Sequence, residues 1–296
     1  MLCPRKCHVD RTEHRGYCGE REVLRVARAS LHLWEEPCIS GTAGSGTVFF
    51  SGCPLKCVFC QNRRIALGNQ GKELTIAQLS ELFLLLQSKG ANNINLVTPT
   101  HFAPQIAEAL RKAKAKGLML PVVYNTSSYE APETLQMLEG LVDIYLPDLK
   151  YYSDELARRY SNAPDYFSTA ALAIKEMFRQ VGTPVFEGQL MKKGMIVRHM
   201  IMPGCTKDSK VIIKYLHDSY GEDIYISIMS QYTPTGDLGH FPEIARKVTD
   251  REYEKVVNYA IDLGIENAFI QEGRTAEESF IPDFDEDVFL SEIIKM

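Results

Sequence analysis

Three observations in the sequence predict an α/β fold, a partial (β/α)6 TIM-like barrel with a Cys-rich N-terminal extension. Short β-branched or apolar runs alternate with helical patterns, one unit in roughly 30 to 50 residues, as expected of parallel strands joined by crossover helices. There are six or seven strand patterns, fewer than the eight of a closed barrel. A chain of 296 residues is long enough for one such barrel or for two smaller domains.

The first 45 residues, rich in Cys, Arg and Gly, fit no strand–helix unit and read as an extension packed on the barrel. Residues 47–51 read as the first strand. Leu79, Leu82, Phe83 and Leu86 then follow the i, i+3, i+4, i+7 spacing of a helix that Gly90 ends. Strands are expected at 93–97, 121–125, 142–146, 195–202 and 224–229, with a last short run at 267–270. Helices are expected at 104–116 and 132–139, over a long stretch at 154–181, from Ser209, and at 250–263. An acidic, loop-like segment follows Gly273, and the apolar piece 288–294 is expected to dock back as a helix. The domains are therefore 1–45, 46–272 and 273–296.

An apolar share of 45% and a charged share of 24% exclude a collagenous, coiled-coil or largely disordered chain. A net charge of −5 leaves no global nucleic-acid footprint. No stretch approaches the roughly 18 apolar residues of a membrane span, and no secretory signal is visible, so a cytoplasmic protein is expected. The charge runs, basic before residue 28 and acidic at 272–287, read as solvated faces. Gly41, Gly44 and Gly46 precede no Gly-Lys-Ser/Thr and form no phosphate loop. Eight cysteines in such a chain call for an explanation as thiols rather than as a disulfide framework.

Cys53, Cys57 and Cys60 form a C-x3-C-x2-C run directly after the first predicted strand, in Cys53-Pro54-Leu55-Lys56-Cys57-Val58-Phe59-Cys60. Zinc normally takes four ligands, whereas a loop offering three suits an iron–sulfur cluster with one open iron. A zinc site completed by a remote Cys or His is the alternative on spacing alone. The run lies where the first barrel strand ends, at the rim where barrel active sites collect.

The run, with Phe59 before its third Cys, resembles that of the radical S-adenosylmethionine (SAM) superfamily. Within it the chain is similar to the pyruvate formate-lyase activating-enzyme-like, PflX-type branch, through His32-Leu33-Trp34-Glu35-Glu36-Pro37-Cys38-Ile39-Ser40-Gly41 and the segments 44–62, 97–101, 145–150, 198–204 and 231–234. The resemblance implies a 4Fe-4S cluster on Cys53, Cys57 and Cys60. It further implies S-adenosylmethionine on the open iron and reductive cleavage to a 5'-deoxyadenosyl radical. An electron donor of low potential, such as flavodoxin or ferredoxin, is implied as partner.

For the cofactor, the resemblance points to Phe59, to Asp148 and Lys150 on one strand face, and to Arg198 for the carboxylate. Thr98-Pro99-Thr100-His101 replaces the family's Gly-Gly-Glu, so Thr98 or Thr100 is expected to take the amine in its place. Asn125 and Ser127 are candidates for the ribose or carboxylate. His101 reads as a relay or a rim histidine, and Gln231 stands where the family has a His.

Cys3, Cys7 and Cys18, a C-x3-C-x10-C set, suggest a second site holding zinc or an auxiliary iron–sulfur cluster. In relatives a further Cys precedes this set, so either the native chain starts upstream or Cys38 completes the site. Cys205 reads as an incidental thiol. The expected activity is hydrogen abstraction from a backbone glycine of a glycyl radical enzyme, by a monomer. The alternatives are radical modification of another peptide, an RNA or a small molecule, and, from a different class, a Cys-rich zinc protein that binds nucleic acid.

Overall fold

The structure, a computed structural model, describes residues 2–271 and 288–294. Its strands are β1 (Arg25–His32), β2 (Ser45–Phe50), β3 (Lys72–Glu73), β4 (Ile94–Val97), β5 (Val122–Thr126), β6 (Ile144–Pro147), β7 (Val185–Glu187), β8 (Leu190–Met200), β9 (Tyr225–Met229) and β10 (Ala268–Ile270). The helices are α1 (Pro37–Ser40), α2 (Arg63–Ala66), α3 (Ile76–Ser88), α4 (Ala103–Ala115), α5 (Pro132–Gln136), α6 (Asp154–Ser161), α7 (Tyr166–Val181), α8 (Thr206–Tyr220), α9 (Asp250–Asp262) and α10 (Val288–Ile294).

One sheet runs in the order β10-β9-β8-β6-β5-β4-β2-β1-β3, and every pair from β2 to β10 is parallel. This is the α/β partial barrel: six strands in sequence from β2 to β9, with the short β10 added at one edge. The strands β2, β4, β5 and β6 are buried throughout, as parallel strands covered on both faces must be.

Their alternate residues divide into two environments. Val48, Leu96, Val122, Tyr124, Tyr145 and Val197 pack in the main core that includes the helices' buried faces. Val123, Ile144, Leu146 and Ile196 form a separate cluster inside the curve of the sheet, closed by Cys38 and Ile39 of α1. Asn125, Asp148 and Arg198 continue that inner face one step further along their strands, so the polar site stands on an apolar floor.

Two expectations need correction. The N-terminal extension ends earlier than residue 45, because β1 joins the sheet antiparallel to β2, with Val26 opposite Phe50 and His32 opposite Ser45. Its interleaved Arg and Ser hid the strand, since only one face of β1 needs apolar residues. The stretch 154–181 is two helices: Asn162 turns left-handed at φ +48° to end α6, and Pro164 follows before α7. Residues 272–287, which hold most of the acidic tail, lie outside the described residues. Within the tail, α10 does dock, burying Leu290 and Ile293 against α3 and β1. Among the described residues no helix is long and apolar enough to cross a membrane.

Helix ends follow local chemistry. Thr75 and Gln78 form a reciprocal capping box on α3, and Thr249 and Glu252 do the same on α9. The loop after β5 buries a carboxyl: Glu130 accepts hydrogen bonds from Thr100 Oγ1 at 2.6 Å, Thr126 Oγ1 at 2.5 Å and the Tyr124 hydroxyl at 3.4 Å. Burial pushes its pKa up to about 7, against the downward pull of those three donors. The folded chain thus keeps a proton that the unfolded chain loses as pH rises past the ordinary Glu value, and the stability linked to it falls over the window from 4.5 to about 7. Glu130→Gln is expected to match the parent at pH 5 and to exceed it by up to about 3 kcal/mol at pH 8. Denaturant unfolding of both proteins across that range checks this; a difference independent of pH contradicts it.

Candidate active site

The loop from Gly52 to Cys60 leaves the end of β2. Gly52 has φ +85°, and a Cβ there would stand 2.7 Å from the Cys18 carbonyl oxygen and 2.7 Å from Glu20 Cγ, so only glycine fits. Lys56, at φ +53°, makes the second sharp turn. Further bonds hold the loop: Cys53 N donates to Cys18 O at 3.3 Å, Val58 N to Tyr160 O at 2.9 Å, and Gln61 Nε2 to Gln231 O at 2.9 Å. Arg5 adds a clamp, donating from Nε to Pro54 O at 2.6 Å and from one terminal nitrogen to Ser161 O at 2.9 Å.

Cys53, Cys57 and Cys60 all line one cavity of about 240 Å³. Two of the sulfurs already accept hydrogen bonds, Cys53 from Leu55 N at 3.4 Å and Cys57 from Ser161 Oγ at 3.0 Å. Burial pushes the Cys53 thiol up to about 11, and Cys57 beside it pushes the same way; burial, then both neighbouring thiols, raise Cys60 as well. Removing the Cys53 and Cys60 protons therefore requires a strong cation among the sulfurs. Three thiols of one loop that line one cavity, two of them with an N–H or O–H donor behind the sulfur, fit an iron–sulfur cluster.

The other wall of the cavity is polar. Arg198, at its centre, donates to Asp148 Oδ1 at 3.1 Å, to Glu35 Oε2 at 3.1 Å and to Asn125 Oδ1 at 2.5 Å. Lys150 Nζ reaches Asp148 Oδ2 at 2.6 Å. Burial acts to raise Asp148, yet Lys150 and Arg198 outweigh it and hold the carboxyl below its usual range. For Lys150, burial acts downward, and Asp148 with Cys57 restores the charge and lifts the value above that of a free Lys. Two acids and two bases, nearly balanced, suit a zwitterion whose amine and carboxylate exchange partners with them.

Of the residues picked from the sequence, Phe59, Thr98, Asn125, Ser127, Asp148, Lys150, Arg198 and Gln231 all line this cavity. The Phe59 ring packs on Tyr232, with centroids 5.6 Å apart. Thr98 has φ +56°, a strained conformation for a β-branched residue, held by its N–H on Asn125 O at 2.9 Å.

Thr100 is a correction: it sits in the turn Thr100–Phe102 and turns its hydroxyl to buried Glu130, away from the cavity. His101 is another, since its ring is buried behind the loop with Nε2 at 2.6 Å from Ser51 O, and burial holds its pKa down at about 3. It is neither a rim residue nor placed to relay at this cavity. Sequence reasoning assigned no role to Glu35, which accepts from Arg198, Asn95 and Asn125 at once. A buried Arg calls for more than one acid, and the adjacent acids of Trp34-Glu35-Glu36 were the signal available.

Residues 47–216 match the model of the Radical SAM superfamily. An uncharacterized protein of Methanocaldococcus jannaschii is 29% identical over 274 residues, covering 88% of this chain and 73% of its own. Among solved structures, a domain of pyruvate-formate lyase-activating enzyme from Bacteroides vulgatus covers 61% of this chain and 99% of its own, at 12% identity and a TM-score of 0.44. Streptococcus suis SuiB bound to its precursor peptide SuiA covers 81% of this chain at 12% identity and a TM-score of 0.50; this chain spans about half (52%) of SuiB. With more than half of its length matched by the family model, and the three-cysteine loop at the end of the first parallel strand, the chain belongs to the Radical SAM superfamily.

Proposed function

We propose that the protein abstracts a hydrogen atom from the α-carbon of a backbone glycine in a partner protein, as a glycyl radical enzyme activating enzyme. The observation that carries the reading is the meeting, in one cavity, of the three loop thiols with the balanced set Glu35, Asp148, Lys150 and Arg198. The exposed wall of the same cavity carries Trp34, 55% exposed, an apolar surface suited to an extended peptide.

Cys53, Cys57 and Cys60 would hold the 4Fe-4S cluster, and the polar wall would hold S-adenosylmethionine. When bound and reduced, this pair supplies a 5'-deoxyadenosyl radical that takes the hydrogen atom. Arg198 and Lys150 would bind the cofactor's carboxylate, Asp148 and the strained Thr98 segment would take its amine, and Asn125 would meet the ribose or the carboxylate. Phe59 with Tyr232, and the apolar floor beneath Arg198, exclude water from the reacting space. A flavodoxin or ferredoxin would deliver the electron.

Anaerobically reconstituted, dithionite-reduced protein is expected to show a 4Fe-4S absorption spectrum and to release 5'-deoxyadenosine. The Cys53, Cys57, Cys60 triple-Ala variant should release no 5'-deoxyadenosine. Reconstituted protein that forms the cluster but releases no deoxyadenosine overturns the enzymatic reading. Incubation with a glycyl radical enzyme should produce a glycyl radical visible by electron paramagnetic resonance. Deoxyadenosine formation stimulated only by a different peptide, an RNA or a small molecule would replace the glycine assignment. Arg198→Lys keeps the charge but not three hydrogen bonds in one plane, so the KM for S-adenosylmethionine should rise by about tenfold or more, with cluster content unchanged.

A further inference from the structure

Cys3, Cys7 and Cys18 take no part in the cavity described above, yet they line one of their own, about 180 Å³ in volume. A Cβ on Gly16 would lie 3.5 Å from Cys18 Sγ and 3.7 Å from Cys7 Sγ, so both sulfurs gather round the same backbone point. Cys7 Sγ accepts a hydrogen bond from Tyr17 N at 3.2 Å, the kind of contact that supports a thiolate. All three thiols are free.

Two histidines at this cavity could ligate beside the thiols, the exposed His8 and one that sequence reasoning assigned elsewhere. His101, only 2% exposed, lines it. Its Nε2 stands 2.6 Å from Ser51 O, and a carbonyl can only accept, so Nε2 carries the proton. That leaves Nδ1 with a bare lone pair, buried and without a hydrogen-bond partner. A histidine whose one nitrogen is oriented by a backbone carbonyl while the other is vacant has the arrangement of a metal ligand.

Cys38, the other candidate for a fourth ligand, is ruled out by its position, packed with Ile39 under the opposite end of the sheet. There Asn93 Nδ2 bonds the Ile39 carbonyl at 2.8 Å, at the start of β4.

We propose that Cys3, Cys7, Cys18 and His101 bind a second metal centre of thiolate-seeking type, zinc or an iron–sulfur cluster. Without metal, no three of the described His, Cys, Asp or Glu side chains stand in a closed coordination sphere, so these ligands draw in on binding. The centre braces the active-site loop from two sides. Arg5, between Cys3 and Cys7, grips Pro54 O and Ser161 O, while His101 holds the Ser51 carbonyl two residues before Cys53.

The test uses the full chain with Cys53, Cys57 and Cys60 all changed to Ala, so that the result is independent of the proposed activity. Elemental analysis and the visible spectrum after anaerobic purification should report about one zinc per chain or one iron–sulfur cluster, the two arms separating the metals. Neither metal bound, after reconstitution with both, overturns the proposal. In the same background, Cys7→Ser should lower the stoichiometry, and His101→Ala should weaken retention against a chelator by about tenfold or more. His101→Cys, which restores a ligand, should recover it. Where zinc is bound, exchange for cobalt should give a tetrahedral absorption spectrum that changes in His101→Cys. Retention and spectrum indifferent to both His101 variants overturn the assignment of His101.

Discussion

The arrangement of the site depends on one buried guanidinium. Arg198 lies on the inner face of β8 and must be paired there, since an unpartnered charge in that position costs several kcal/mol. Its partners come from three other places: Asp148 at the end of β6, Asn125 on β5, and Glu35 from the connection between β1 and α1. Satisfying Arg198 therefore fixes the relative positions of four segments far apart in sequence. Planarity matters, because five donors in a rigid fork reach three acceptors that a single ammonium cannot. Asp148 then positions Lys150, and the polar wall is complete before any ligand arrives.

The opposite wall is built differently. The cysteine loop buries Leu55 and Phe59 in the main core, and it is held besides by backbone hydrogen bonds and by the N-terminal segment. Arg5 is the main clamp: its guanidinium bonds the loop and the end of α6 and stacks over Tyr17 and Tyr129, at 4.0 and 5.0 Å from the ring centroids. Ser161, which Arg5 holds through its carbonyl, in turn donates to Cys57 Sγ. The N-terminal segment thus bears on the sulfurs through two hydrogen-bond steps. A segment of so few apolar residues gains little from the hydrophobic effect, so the cation–aromatic and charge-assisted bonds of one arginine matter more there than in the core.

Apart from the short α2, β3 and β7, strand and helix order from residue 45 to residue 270 was legible because each unit buries a period-2 strand against a period-3.6 helix. The patterns at Ile94–Val97, Val122–Thr126 and Ile144–Pro147 fell within one or two residues of their strands. What escaped had a local reason. β1 carries Arg25, Arg28 and Ser30 among its apolar residues, because it covers the sheet with one face alone. The break between α6 and α7 is a backbone event at Asn162, which helical periodicity passes over.

The sequence by itself determined which chemistry was available. The spacing of Cys53, Cys57 and Cys60 after a strand, and the shared face of Asp148 and Lys150, are one-dimensional facts, because short loops and strand pleats turn spacing directly into position. Tertiary structure decided everything that joins distant segments: Glu35 on Arg198, Thr100 on Glu130 rather than in the cavity, and His101 beside the N-terminal thiols. The physical reason is that burial makes each polar group find a partner within about 3 Å, and which partner is in reach depends on how the strands are laid side by side.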